Sequence, residues 1–173
     1  MSGAIDIPRL TTRRLLLRAF ATEDADKVRE LAGDRRIADT TLNVPHPYEA
    51  GMAQHWIASL ESLRAAGEQA TFAVCLGDTG ELIGATSLRI DADLAQANLG
   101  YWVGYPHWNQ GYGTEAAGAV VGFGFNKLQL HRIHAAHLAR NPASGRIMQK
   151  LGMRREGVQR EHTRKWDRCE DLV

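Results

Sequence analysis

Gly100-Tyr-Trp-Val-Gly-Tyr-Pro-His-Trp-Asn-Gln-Gly-Tyr-Gly-Thr-Glu-Ala116 is the stretch whose reading decides the fold. From Leu94 to Asn126 the only charged residue is Glu115, and seven of the 17 glycines lie between Gly100 and Phe125. The order of residues reads as a buried strand, Ala97 to Tyr105, then a loop, Pro106 to Gly113, then a helix, Thr114 to Asn126. Gly118, Gly122 and Gly124 each oppose that helix by roughly 1 kcal/mol relative to Ala. A helix N-terminus leaves its first N–H groups unpaired, and its dipole favours an anion there. Gly111 and Gly113 let the main chain turn tightly and approach phosphate oxygens without a Cβ clash. Gln110-Gly-Tyr-Gly-Thr114 is therefore a candidate phosphate loop, with a plain glycine turn as the alternative. Glu115 suits the first turn of the helix as a structural group. Gly111-x-Gly113-x-x-Ala116 also satisfies a dinucleotide pattern, but no Asp or Glu lies between Glu115 and Glu156 to take ribose hydroxyls. No Lys-Ser/Thr follows the glycines, which excludes a P-loop.

Upstream, Thr12 to Phe20 reads as a strand and Thr22 to Ala32 as a capped amphipathic helix with acids in its first turn. Asn43-Val-Pro-His-Pro-Tyr48 is a loop, since two prolines deny a regular element. Met52, Trp56, Ile57, Leu60 and Leu63 give a helical period within Glu49 to Ala65. Thr71 to Leu76 and Glu81 to Ile90 flank Gly77-Asp-Thr-Gly80 and read as a hairpin. Downstream, Arg132 to Leu138 is a strand, and Asn141-Pro142 opens a helix to Leu151 with Gly152 after it. Met153 to His162 reads as a further strand, and Glu170 to Val173 as the start of another. The order β-α-α-β-β-β-α-β-α-β-β predicts an α/β (α+β) chain with a mixed, mostly antiparallel sheet. The strand–helix–strand piece from Ala97 to Leu138 supplies a parallel crossover.

At 173 residues the chain is expected to form a single domain, 1–173. Its formal net charge is only +1, which argues against a wholly basic nucleic-acid binder. That balance conceals an asymmetry. Residues 1–126 carry 10 Lys/Arg and 15 Asp/Glu, whereas residues 127–173 carry 11 and 5. The basic C-terminal quarter is either a solvated face or a complement to a polyphosphate ligand. Cys75 and Cys169 form no C-x-x-C pair, so a reducing, cytoplasmic setting is expected, with no disulfide framework and no zinc site. The histidines show no ligand spacing, so no metal is expected. No apolar run approaches the ~20 residues needed to span a bilayer, and no signal pattern opens the chain.

The decisive stretch resembles the acyl-CoA signature of the GNAT acetyltransferases, nearest to the branch of ribosomal-protein alanine acetyltransferases (RimJ/RimL-like). Thr12-Arg-Arg-Leu-Leu-Leu-Arg18, Pro47-Tyr48 before Trp56-Ile57, Leu130-His-Arg-Ile133, Asn141-Pro-Ala-Ser144 and Lys150-Leu-Gly-Met153 follow in family order. The resemblance covers about Arg9 to Val173. It implies a twisted sheet splayed at an acyl-CoA cleft, with flanking helices and the pantetheine arm lying between diverging strands. It implies acetyl-CoA as donor, an amine acceptor, direct transfer and no metal. By resemblance, main chain around Val103 pairs with pantetheine, and Gln110, Gly111, Tyr112, Gly113 and Thr114 hold the pyrophosphate. Lys150 and Arg146 are candidates for the nucleotide end, or else part of a solvated helix face.

Acetyl transfer needs a neutral amine, a stabilised oxyanion and a proton for the departing sulfur. The resemblance makes Asn141 a contact to pantetheine or substrate and Ser144 the candidate acid. Read locally, Asn141 is equally an N-cap with Pro142 at N1. Relatives often carry Glu ahead of Gly-Tyr-Trp, whereas this chain has Asn98, which cannot serve as a base. His46, His134 and His137 are the remaining candidates, alone or through water. The segment Thr41 to Trp56 is the expected wall of the acceptor pocket, for an N-terminal peptide amine or a small-molecule amine. A homodimer is implied by resemblance. Family members usually finish their last strand a few residues beyond the point corresponding to Val173, often with a tyrosine, and the expectation is that any role of such a tyrosine is absent or replaced here, which raises the importance of Ser144. The competing readings are a non-catalytic acyl-CoA-binding module, which Asn98 favours, and a nicotinamide dinucleotide oxidoreductase.

Overall fold

A computed structural model describes residues 3–173. Six strands lie in chain order in one sheet. They are β1 (Leu10–Thr11), β2 (Leu15–Arg18), β3 (Gln69–Leu76), β4 (Leu82–Asp91), β5 (Gln96–Val103) and β6 (Arg132–His134). Neighbours are antiparallel through β5, and β6 joins β5 in parallel after the crossover helix α4 (Tyr112–Asn126). The other helices are α1 (Ala25–Ala32), α2 (Arg35–Thr40), α3 (Met52–Ala65) and α5 (Pro142–Lys150). A separate hairpin, β7 (Gln159–Lys165) and β8 (Arg168–Leu172), closes the described chain.

β3 is buried on both faces, which is why Phe72-Ala-Val-Cys75 reads as a continuous apolar run. On one face Phe72 and Val74 pack with Leu15, Leu17, Leu88 and Leu99 against Ala116, Ala117, Val120 and Phe123 of α4. On the other, Ala73 and Cys75 pack with Ala25, Val28 and Ala32 of α1, Ala53 of α3, and Trp56 and Trp102. Burying these side chains supplies roughly 1.5–3 kcal/mol for each of the larger ones.

Several boundaries differ from those expected, each for a local reason. The first strand is two short ones, because the Thr12 N–H donates to Leu15 O at 2.9 Å and Thr12 Oγ1 accepts from Leu15 N at 3.0 Å, closing a turn. The cap expected at Thr22 sits one residue earlier: Asp24 accepts from Ala21 N at 2.8 Å and pairs with Arg18, so Thr22–Asp24 is a 3₁₀ turn before α1. α2 was not expected, and it is started by Asp34 accepting from Arg36 N at 2.9 Å. α3 begins at Met52 rather than Glu49 because Gly51, at φ 87°, breaks the helical path. α4 begins two residues before Thr114, at Tyr112. The strand expected over Met153–His162 is displaced to Gln159–Lys165, pulled there by its pairing with β8.

The most consequential difference concerns Arg132–Leu138, which was expected to be one strand. Only Arg132–His134 pairs with β5, opposite Gln96–Asn98. The chain then leaves the sheet, and His137 exchanges hydrogen bonds with Val173 while Ala139 N donates to Asp171 O at 2.9 Å. The two strands part beyond Asn98 because β8 captures the second half of the expected strand. A bulge sharpens the local twist: β4 carries the extra residue Ile83 between its Val74–Gly84 and Cys75–Leu82 pairings.

Candidate active site

Beyond Asn98 the outer edge of β5 is open. Gly104 N donates to Ile83 O on β4 at 2.8 Å, so by strand alternation Val103 and Tyr101 turn their main-chain groups to the open edge. The Val103 carbonyl accepts the Trp108 indole N–H, whereas its N–H remains directed into the gap. The edge leads to the loop. Asn109 at φ 60° and Gly111 at φ 81° flank Gln110 in left-handed conformations, an alternation of the kind that can make an anion-binding concavity of main-chain N–H groups. The first N–H bonded within α4 is that of Glu115, to Gly111 O at 3.1 Å. The N–H groups of Tyr112, Gly113 and Thr114 are thus without helical partners.

The loop is locked from a distance. Glu115 accepts from Thr12 Oγ1 at 2.7 Å, from Arg14 N at 2.8 Å and from Arg14 Nε at 2.7 Å. Arg14 also donates to Gln110 O at 2.9 Å and stacks over the Tyr112 ring, 4.5 Å from its centroid. Burial pushes the Glu115 carboxyl up, but these donors outweigh it and hold the group below the usual carboxylate range. Glu115 is therefore structural, in line with its reading from sequence. Arg14 was missed as a site residue, since nothing local in the sequence connects it to a loop about a hundred positions away.

Across the gap stands the start of α5. Asn141 caps it, accepting from Ser144 N at 3.3 Å, and its amide donates to Thr40 O at 3.0 Å. Ser144 Oγ lies 2.8 Å from Tyr101 Oη, which also reaches Ser144 O at 3.2 Å. Burial pushes the Tyr101 phenol up and the Ser144 hydrogen bond offsets this only in part, so Tyr101 keeps its proton at neutral pH. Tyr101 too was missed. It lies within the quoted signature, but no spacing rule connects it to Ser144.

Tyr101 and Ser144 line a cleft of about 580 Å³ that passes through the gap. Its wall includes Thr41, Leu42, Val44, Tyr48, Met52 and Trp56, so the segment named from sequence does flank it. Of the three candidate histidines, His137 lines the cleft, with Nδ1 2.8 Å from Leu138 O and its ring packed over Gly145. His134 stands beside Asn98 at the edge of the floor, outside the lining, with Nδ1 3.3 Å from Asn98 Nδ2, and His46 sits edge-on to Trp166. Arg146 and Lys150 are exposed on α5, and the cleft lining includes neither of them nor the Gln110–Thr114 loop.

The site is thus a sheet split beside a helix N-terminus, with an open strand edge next to main-chain N–H groups that have no helical partner. The Acetyltransferase (GNAT) domain family matches residues 14–154, and the chain belongs to that family. It is an acetyl-CoA-dependent N-acetyltransferase. The uncharacterized N-acetyltransferase YnaD of Bacillus subtilis (strain 168) is 35% identical over 150 residues, 86% of this chain and 84% of that protein. The [Ribosomal protein uS5]-alanine N-acetyltransferase of Escherichia coli (strain K12) is 24% identical over 160 residues, 89% of this chain and 82% of the relative. The crystal structure of a GNAT-family acetyltransferase from Bacillus anthracis superposes with a TM-score of 0.82 at 25% identity, covering 95% of each chain.

Proposed function

We propose that this chain works as one domain that acetylates a primary amine, either the N-terminus of a peptide or a small molecule, by direct transfer within the cleft. The observation that carries the reading is the continuity of three features: the open edge of β5, the N–H cradle at Gln110–Thr114, and the Ser144–Tyr101 pair facing across the gap. These features fit coenzyme A, whose pantetheine needs an unpaired strand edge and whose pyrophosphate needs convergent N–H donors. The Val103 N–H would take the arm, and Gln110, Gly111, Tyr112, Gly113 and Thr114 the pyrophosphate. Arg146 and Lys150 supply positive charge towards the nucleotide end.

Bound acetyl-CoA supplies an activated thioester. The chain's own groups do the rest. Ser144 Oγ–H gives its proton to the departing sulfur, Tyr101 Oη–H passes its own to Ser144 Oγ, and the proton shed by the newly acylated nitrogen returns through water to Tyr101, so the pair ends as it began. Asn141 holds Ser144 in place by capping α5 and anchors the cap to Thr40. The acceptor amine enters neutral from the Thr41–Trp56 side, and His55 and His137 are the imidazoles that line the cleft. A cytoplasmic setting and a homodimer belong to the same reading, supported by the free cysteines and by family resemblance respectively. Relatedness to an alanine N-acetyltransferase acting on a ribosomal protein supports a peptide terminus as one acceptor class.

Ser144→Ala is expected to lower kcat by roughly 10²-fold, the lower end of general acid catalysis, while coenzyme A affinity stays unchanged. Tyr101→Phe should lower it by roughly 10-fold, because the serine remains. Steady-state thiol release and calorimetric titration with coenzyme A check both, and an unchanged kcat in Ser144→Ala removes it from the chemistry. One observation favours a second reading, a non-catalytic acyl-CoA sensor: among the described residues no carboxylate lines the cleft, and Asn98 stands where a base could have been. An acetyl-CoA thermal shift with no turnover on any amine or N-terminal peptide would select it.

A further inference from the structure

The floor of the cleft is built from cross-strand rows. Gln69 on β3, Arg89 on β4, Asn98 on β5 and His134 on β6 stand opposite one another in one row. Thr71, Ser87 and Gly100 form the next row on the same face, then Ala73, Ala85 and Trp102. Among the residues lining the cleft, Arg89 is the only Lys, Arg, Asp or Glu. No ion pair among the described residues involves it. Its flanking residues in the row are neutral amides that already face other partners. Gln69 Nε2 donates to Thr71 Oγ1 at 2.8 Å, and Asn98 Nδ2 lies 3.3 Å from His134 Nδ1. A carboxylate at position 98 would have stood directly opposite Arg89. With asparagine there, the guanidinium has no ion-pair partner among the described residues, and Asp91, the next residue on the same face of β4, instead accepts from Leu94 N at 3.2 Å.

A guanidinium presents paired N–H donors whose planar fork matches a carboxylate. A polycationic acceptor entering this cleft meets one positive charge and no negative one, which disfavours it. We propose that the acceptor carries a carboxylate within a few bonds of its amine, and that Arg89 pairs with it. The carboxylate belongs to an α-amino acid or to an acidic residue beside a peptide N-terminus. The inference rests on the transferase reading of the same cleft and adds the acceptor's charge to it. Gln69 and Asn98 flank the site with carboxamides that can accept or donate.

The test is calorimetric titration of the coenzyme A-loaded protein with matched pairs, followed by thiol release from acetyl-CoA on the same panel. The pairs are the common α-amino acids against their carboxamides, tripeptides with Glu against Gln at the second position, and spermidine as the polycation. Which pair separates also decides between a free amino acid and a peptide. The carboxylate members should bind and react roughly 10- to 100-fold better than their partners. Arg89→Gln should bring that ratio close to one, Arg89→Lys should restore part of it, and added salt should shrink it, since Arg89 is exposed. The proposal is overturned if carboxamides or spermidine match the carboxylates, if no carboxylate binds, or if Arg89→Gln keeps the ratio. A charge preference in binding that depends on Arg89, without turnover, upholds the carboxylate site and defeats the transferase reading instead.

Discussion

Gly124 shows how a residue can be misjudged by its propensity and explained by its contacts. In an isolated helix it is a liability of about 1 kcal/mol against Ala. In the folded chain a Cβ at this position would fall 2.7 Å from Ile133 Cδ1 and 2.8 Å from Leu88 Cδ1, so the tips of both core side chains must move to admit it. Overpacking of this sort costs about 1–3 kcal/mol, which exceeds the propensity gain. Gly124→Ala is therefore expected to lower stability by roughly 1 kcal/mol, read from the midpoint of urea unfolding, although a helix scale alone predicts the opposite. The same contrast separates the site residues. Asn141 as a helix cap and the turn at Gln110–Thr114 were legible because capping and turn chemistry act between near neighbours, whereas Ser144 was singled out by family resemblance alone. Arg14 and Tyr101 were not assigned roles, because each acquires its meaning from a partner in another element, and Arg89 was not, because its meaning lies in the charge that its cross-strand neighbours lack.

At the scale of elements, the clamp between the β1–β2 turn and α4 keeps the anion cradle in shape. Three donors from Thr12 and Arg14 converge on Glu115. Arg14 is 40% exposed, so its ion pair contributes modestly, and the clamp as a whole is worth on the order of 1–2 kcal/mol. Its pH dependence has a definite sign. The folded state holds the Glu115 carboxyl below its unfolded value, so the stabilisation is complete above the ordinary carboxylate range and is lost as pH falls through the lowered folded value. Urea midpoints for the parent and Glu115→Gln should differ at pH 7 and converge in acid. The variant should also bind coenzyme A more weakly at neutral pH, because Gln110 and Tyr112 lose their tether. Boundaries were the least legible feature at this scale. Thr12, Asp24 and Asp34 each redirect the main chain by a side-chain hydrogen bond, and hydrophobic period does not register that.

Across the whole molecule, the Thr41–Trp56 side of the cleft, where the acceptor is proposed to enter, is backed by the last hairpin. The Trp166 indole donates to Asp39 on α2, Arg35 stacks 5.5 Å from the Trp166 ring, and Lys165 Nζ donates to Val44 O at 3.1 Å. Burial pushes the Lys165 ammonium down, so the contact weakens at alkaline pH. The hairpin thus braces the 41–45 wall of the cleft from more than a hundred residues away. Trp166→Ala is expected to raise the KM for the acceptor several-fold and leave the KM for acetyl-CoA near its parent value, as initial-rate kinetics with each substrate varied in turn would show. Fold class and the parallel crossover were legible from the order and period of the elements. The hairpin's reach was not, because it depends on β8 taking residues 137–139 away from the sheet.

That separation of β5 from β6 has a consequence for handling the protein. Main-chain donors and acceptors left unpaired along a strand are a template on which other chains can assemble. Coenzyme A in the split would mask the template and tie solubility to occupancy, since a ligand at a hundred times its dissociation constant adds about 2.7 kcal/mol to the folded state. Ligand-free preparations should thus be the ones that cloud on concentration, and under the proposed placement the cofactor would serve this chain as a missing strand as well as a reagent.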